Sequence, residues 1–379
     1  MNSNISYNFS DILSKFCIEG ATTEPVPFGS GHINSTFYIK NTEAGCPDYL
    51  LQRINHYVFK DVEGLTENVK LVTAHLRDKV ASQNGNVDKE VLTLISAKDG
   101  LYFYKDGNGD YWRIYHYLKN TKSYDLLETE QQAFEGGKAF GKFQSMLADL
   151  DATLLVETIP NFHNIEFRLQ NFKNALEKDP VGRAKDCKAE IDFVSERTEN
   201  MCTILTLGRA GKIPLRITHN DTKFNNVLLD QNDKAQCVID LDTVMPGYTA
   251  YDFGDAIRTI INTANEDEAD LSKIQLNVKL FEAYVRGYLA ETINFFTETE
   301  LESLIYGALL LPYMQGVRFL TDHIDGDNYF KIHFPNHNLQ RARAQFQLLR
   351  KLEENRPQLE AIISEIASEY KSSLSVANN

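Results

Sequence analysis

The residues best equipped for chemistry lie in one run, Thr218-His219-Asn220-Asp221-Thr222-Lys223-Phe224-Asn225-Asn226, and in Val238-Ile239-Asp240-Leu241-Asp242 just beyond it. They read H-x-D-x-K-x-x-N and then I-D-x-D, which points to transfer of a phosphoryl group from a nucleotide. In that chemistry an Asp accepts the proton of the acceptor hydroxyl, an Asn five residues on holds Mg²⁺, and an Asp from the next hairpin holds Mg²⁺ against the phosphates. Asp221 and Asn226 have this separation, and Asp240 lies in the strand-like segment that follows. A base and a hard-cation ligand on one short loop can face the γ-phosphate from different sides, so a single loop fixes both. Mg²⁺ prefers oxygen ligands and usually takes one or two protein groups plus substrate phosphates, which Asn226 and Asp240 satisfy. Lys223, beside the base, could neutralise charge developing on the transferred group. With nine histidines in the chain, chance alone would produce H-x-D-x-x-x-x-N about 2% of the time.

The elements that must position this run fall into two kinds. In the first third, Gly29 to Lys40, Tyr49 to Asn55, Leu101 to Tyr104 and Tyr111 to Leu118 are β-branched and aromatic runs that predict strands. Asp106 to Asp110 (DGNGD) predicts a hairpin turn between the last two. Leu65, Val69, Val72 and Leu76 recur at helical spacing and predict one helix over 65–80. From about residue 130 the pattern is helical, with Phe140, Phe143, Leu147 and Leu150 forming an apolar stripe. The segment 213–242 breaks that pattern with a loop, a hairpin and a strand, a place where chemistry can be displayed.

With G-x-G-H-I-N at Gly29 to Asn34, H-x-D-T-K-x-x-N at His219 to Asn226 and D-L-D-T-x-M-P at Asp240 to Pro246, the chain resembles the aminoglycoside phosphotransferase-like superfamily. Within it the pattern looks most like the bacterial N-acetylhexosamine 1-kinases. The resemblance implies an α+β, protein-kinase-like bilobal fold: a small antiparallel sheet with one helix over 1–118, binding nucleotide, and a larger helical lobe over 119–379, carrying the catalytic loop and the acceptor. It also implies ATP with Mg²⁺ and transfer to the anomeric hydroxyl of a hexosamine. By the same resemblance Asp221 is the base, Asn226 and Asp240 are the metal ligands, and Gly29, Gly31 and Arg53 belong to the nucleotide lobe. Arg318 corresponds to a sugar-contacting arginine, its plainer reading being a helix salt bridge. His32 either reaches the acceptor or is an ordinary loop histidine.

Two departures stand out. The third glycine position of a G-x-G-x-x-G loop is Asn34, and the strand cation is Arg53 where protein kinases use lysine. Glu67 is a candidate partner for Arg53, and Asp252 in Tyr251-Asp252-Phe253-Gly254-Asp255 a candidate brace for the catalytic loop. Asp242 is either a secondary metal contact or a strand-end carboxylate facing water. A hinge at 116–120 would present His116, Tyr117 and Leu118 to the adenine edge. Two other readings compete: an aminoglycoside- or choline-type amino-alcohol kinase, and a nucleotide-binding scaffold without activity, whose usual signature is loss of the base or a metal ligand.

Composition limits the partners. At 379 residues two lobes are expected. A net charge of −14 repels phosphate backbones and anionic lipid surfaces, so a small molecule is expected and neither nucleic acid nor membrane. The first twenty residues lack the basic and apolar regions of a signal peptide, and the apolar stretch Ile305 to Met314, interrupted by Pro312, is too short to span a bilayer. A cytoplasmic protein is expected. Five scattered cysteines suggest neither a disulfide framework nor zinc.

Overall fold

In the computed structural model, residues 7–29 and 33–377 are described, and Gly31 and His32 lie outside them. The chain forms two compact units. The first takes the described residues up to Thr121, with Thr153–Pro160 and Gln236–Val244; the second takes Lys122–Ala152, Asn161–Ala235 and Met245 onward.

The first unit is built on an antiparallel sheet of β1 (Val26–Pro27), β2 (Ser35–Ile39), β3 (Tyr49–Ile54), β4 (Leu94–Ile95), β5 (Tyr104–Lys105) and β6 (Tyr111–His116). Its order is β1-β2-β3-β6-β4, with β5 also pairing β6. Alternation decides the two faces. Phe37, Ile39, Tyr49, Leu51, Trp112 and Ile114 share one buried cluster with Ile12 and Phe16. Gln52 and Arg113, opposite each other in the β3–β6 register, point the other way. β3 and β6 follow the expected runs closely, but the run at 29–40 is strand only over Ser35–Ile39 among the described residues, and the run at 101–104 only from Tyr104. The turn at 106–110 forms around Asp106, whose Oδ1 accepts the amides of Asn108 (2.8 Å) and Asp110 (3.0 Å).

The expected helix is α2 (Val62–Ser82), with Leu65, Val69, Val72 and Leu76 buried along it and Asp61 capping it by accepting the Gly64 amide. Two short helices accompany it, α1 (Phe9–Ser14) and α3 (Val87–Glu90). Their few turns are too brief for a periodicity to show in sequence.

The second unit is mainly helical: α4 (Glu130–Met146), α5 (Ile165–Lys178), α6 (Lys188–Met201), α7 (Thr203–Arg209), α8 (Thr249–Ile260), α9 (Val278–Thr292), α10 (Glu298–Asp325) and α11 (His337–Ala377). Short strands β7 (Arg216–Thr218), β8 (Val227–Leu229) and β10 (Met245–Gly247) break the helical run, and β7 pairs antiparallel with β10; β9 (Ala235–Val238) belongs from Gln236 onward to the first unit. α10 continues through Pro312, contrary to the expected interruption. The residues on both sides of Pro312 are buried, so tertiary packing holds the helix where the missing N–H weakens it. Among the described residues, no helix is long and apolar enough to cross a membrane.

Candidate active site

The loop carrying Asp221 is held from beneath by two carboxylates of α8. Asp252 Oδ2 accepts the His219 amide (2.8 Å) and the Gln144 side chain (2.7 Å), and its Oδ1 accepts the Asn220 amide (2.7 Å). Asp255 Oδ2 accepts the Thr222 amide (3.0 Å), and the Thr222 hydroxyl donates to Asp252 O (2.6 Å). These bonds bracket Asp221 on both sides, so the backbone leading into and out of it is fixed. Burial pushes the Asp252 carboxyl up, against the hydrogen bonds that favour its anion. Burial also opposes the Asp255 anion, but Arg258 and Lys223 outweigh it and hold that carboxyl down.

Asn220 takes a left-handed backbone conformation (φ 64°), which Asn tolerates better than most residues. Its side-chain oxygen accepts the Thr218 hydroxyl (3.0 Å), and its carbonyl accepts a bond from His163 Nε2 (3.1 Å). The result is that Asp221 turns outward with its side chain 25% exposed. Lys223 Nζ lies 2.9 Å from its Oδ1. The Asn226 amide group donates to Asp221 O (2.8 Å) and Oδ2 (3.3 Å). Asp221, Lys223 and Asn226 therefore form one cluster. Burial works against the Lys223 charge, yet Asp221 and Asp255 keep its ammonium above the ordinary range.

In the first unit, Asp240 also has a left-handed backbone (φ 59°) and opens a single turn of 3₁₀ helix over Leu241–Thr243. Asp242, in that turn, does not face water. It is buried, 2.5 Å from Arg113 Nη1, and accepts from Arg113 Nη2 (2.8 Å) and from the side chain of Asn34 (2.6 Å). Gln52 Oε1 accepts from Arg113 Nη2 (2.8 Å) and Nε (3.0 Å). Burial opposes the charge on Arg113, but Asp242 and, more weakly, Asp240 hold its guanidinium well above its usual range. From α2, Asn68 donates to Val244 O (3.0 Å), pinning the segment at its other end.

Arg53 lies elsewhere. Its side chain pairs with Asp110 (3.3 Å) and covers the Tyr7 ring (5.4 Å), on the sheet face away from Gln52, Arg113 and Asp242. Glu67 pairs with Lys70 (3.1 Å) at the surface and not with Arg53. The departures noted in sequence thus have a local use: Asn34 supplies a side chain to Asp242 where a glycine could not, and the buried cation of this face is Arg113. Gly29 has φ 76°, a conformation suited to glycine. At the end of β6 the His116 amide donates to Thr93 O (3.0 Å) and the Tyr117 amide to Asp48 O (2.8 Å).

Arg318 lies on α10 and lines a cavity of about 320 Å³ with Arg168, Asn171, Lys178, Tyr329 and Phe330. Its guanidinium sits over Phe162, Tyr329 and Phe330 at 5.4–5.9 Å, and among the described residues it forms no salt bridge. Phe162 in turn contacts His163, the partner of Asn220. Arg113, Asn68 and Arg168 were missed in the sequence, and Asn34 was noted there only as a departure from glycine. Asn68 alone carried a visible signal, a polar residue beside Val69 and Leu65 on the buried face of α2.

Known structures share this architecture. The chain aligns with a microcompartment-associated aminopropanol kinase (TM-score 0.60, 14% identity, 93% of this chain and 98% of the other). It also aligns with an aminoglycoside phosphotransferase from Alicyclobacillus acidocaldarius (0.57, 12%, 95% and 98%). A choline kinase from Cryptosporidium parvum is a third (0.53, 15%, 91% and 93%). At such identities the likeness concerns the fold, which is kinase-like with an antiparallel sheet in one unit and helices in the other. The sequence pattern of the Phosphotransferase enzyme family matches residues 24–292, a span that holds the sheet, the braced loop with Asp221, Lys223 and Asn226, and the Asp240 turn. The chain belongs to that family and is a phosphotransferase enzyme.

Proposed function

We propose that this phosphotransferase moves the γ-phosphoryl group of ATP to the anomeric hydroxyl of an N-acetylhexosamine, with Asp221 as base. The observation that carries the transfer is the Asp221–Lys223–Asn226 cluster on a loop whose backbone Asp252 and Asp255 fix, and the sugar rests on the resemblance of the G-x-G-H-I-N, H-x-D-T-K-x-x-N and D-L-D-T-x-M-P patterns to the N-acetylhexosamine 1-kinases. Asp221 takes the proton of the hydroxyl while the new oxygen–phosphorus bond forms. The bond from the γ-phosphorus to the bridging oxygen breaks, and ADP leaves. Lys223 offsets negative charge as it builds up.

The donor set suits Mg²⁺. The Asn226 nitrogen is committed to Asp221, which leaves its oxygen as the free acceptor, and Asp240 adds a carboxylate, both hard ligands. Asn226 and Asp240 would hold the ion, which when bound offsets the charge of the phosphates. Gly29 and Gly31 are assigned to the phosphate loop, Arg53 to the nucleotide lobe, and His32 and Arg318 to the acceptor. His116, Tyr117 and Leu118 are assigned to the adenine edge, the His116 and Tyr117 amides being engaged within their own unit. Residues 1–118 serve the nucleotide and 119–379 the acceptor, in the cytoplasm where ATP is available.

An amino-alcohol or aminoglycoside acceptor, the kind named for the structural neighbours, is disfavoured by Arg168 and Arg318, which oppose a cationic ligand. The test is incubation with ATP, Mg²⁺ and a panel of sugars and amino-alcohols. Expected are loss of the reducing end of N-acetylglucosamine or N-acetylgalactosamine and phosphorus–proton coupling at the anomeric position. ATP consumption with amino-alcohols and none with either sugar would overturn the sugar assignment.

A further inference from the structure

Most arginines of the second unit pair with a carboxylate. Arg183, Arg197, Arg209, Arg216, Arg258 and Arg343 each have a carboxylate oxygen at 2.6–2.9 Å. Among the described residues no carboxylate pairs with Arg168, Arg318, Arg341 or Arg350, and of these Arg168 and Arg318 line the same cavity of about 320 Å³. Arg168 Nη2 donates to Phe162 O (2.8 Å), while its Nε is buried without a partner. Arg318 Nη1 donates to Gln315 Oε1 (3.0 Å). The rings of Phe162, Tyr329 and Phe330 surround the Arg318 guanidinium, which eases its burial without supplying an anion.

The acidic residues of the wall do not neutralise these charges. Asp322 spends both oxygens on the amides of Asn328, Tyr329 and Phe330 and on the Asn338 side chain, at 2.8–2.9 Å. Asp325 accepts from Asn328 at the end of α10. Lys178 adds a further cation to the lining. Burial first and the Arg318 charge second push Arg168 down to about 10, the response of a cation that lacks its counter-charge. Two partly buried guanidinia without anions are costly in the free protein, and a planar oxyanion is the ligand that matches their forked donors.

We infer that the acceptor carries an oxyanion, a carboxylate or a phosphate, which Arg168 and Arg318 bind in this cavity. Resting on the hexosamine reading, the inference narrows the acceptor from a neutral N-acetylhexosamine to an acidic one. Arg168 then acts as the specificity-determining residue. The transfer step itself is unchanged, because the anion is a substituent remote from the anomeric oxygen.

The test compares three acceptors on the full-length protein with ATP and Mg²⁺: an N-acetylhexosamine, its 6-carboxylate and its 6-phosphate. Binding of each in the presence of ADP is measured alongside by calorimetry. Expected is a preference of at least about tenfold in kcat/KM for one acid over the neutral sugar, and which acid it is identifies the anion. Arg168→Met should reduce that preference by about tenfold or more, and Arg168→Lys by less, because lysine keeps the charge and loses the fork. Equal or better use of the neutral sugar overturns the inference and leaves the hexosamine reading standing. If no sugar is turned over, the hexosamine reading fails and binding decides: acid binding lost in Arg168→Met supports the oxyanion site, and no binding of either acid overturns it.

Discussion

Asp242 and Arg113 form a charge pair that water hardly reaches, with side-chain exposures of 4% and 2%. Removing one member of such a pair strands the other, which typically costs about 3–5 kcal/mol, whereas replacing both by apolar groups of similar volume is often neutral. Arg113→Met should therefore lower the urea midpoint sharply, and the double variant Arg113→Met, Asp242→Leu should recover most of the loss. An unaffected midpoint in the single variant would show that the pair is not closed to solvent. Two residues before Asp242 stands Asp240, and Asp240→Ala should weaken binding of Mg·ATP more than binding of metal-free adenosine, as calorimetry can establish; equal losses would remove its metal role. At this scale the Asp221 cluster was legible because its members lie within six residues of each other, so spacing encodes geometry. The Arg113, Asn34 and Asp242 contacts join positions 129 and 208 residues apart. No local pattern marks such contacts, and Arg53 looked the better cation only because it sits in a strand of the expected type.

Helices α8 and α10 approach so closely that a Cβ on Gly254 would overlap Gly307 O, and one on Gly307 would overlap Ala250 O. α4 and α9 meet in the same way through Gly137 and Gly287. Since Asp252 and Asp255 ride on α8, its seat on α10 sets where the loop carrying Asp221 rests. Gly307→Ala should cost about 1–3 kcal/mol by overpacking and lower kcat more than it weakens nucleotide binding. Loss of stability with unchanged kcat would mean that the loop does not depend on this seat. The elements were readable where a period was long enough to see, as in α2 and the strand runs β3 and β6. Glycine contacts between helices are not readable, because a glycine inside a helix looks only like a weak helix former until its neighbour is known. Pro312 misled for the same reason: local propensity favours a break, and burial overrides it.

Across the molecule several histidines are held neutral. Burial lowers His163 to about 4, and also lowers His116 and His323. In the unfolded chain a histidine binds its proton near pH 6.5, so between that value and pH 4 the unfolded state binds more protons and stability falls as pH falls. Asp252, whose carboxyl is raised, contributes in the opposite sense. The histidine contribution is isolated by comparing wild type with His163→Phe: wild type should lose more stability between pH 7 and pH 5. Parallel losses would contradict the neutral, buried His163. The two-unit organisation was expected from length and from the change in pattern near residue 130. That Thr153–Pro160 and Gln236–Val244 belong with the first unit was not, since both stretches are flanked in sequence by second-unit residues and only tertiary contacts assign them.

The central assignment, Asp221 as the proton acceptor in transfer from ATP, is tested most directly by Asp221→Asn, which keeps the size of the side chain and removes the base. Single-turnover phosphorylation of the preferred acceptor should fall by about 10²- to 10⁴-fold, while calorimetric binding of the nucleotide stays near the wild-type value. Phosphoryl transfer at the wild-type rate by a folded Asp221→Asn protein would contradict the account.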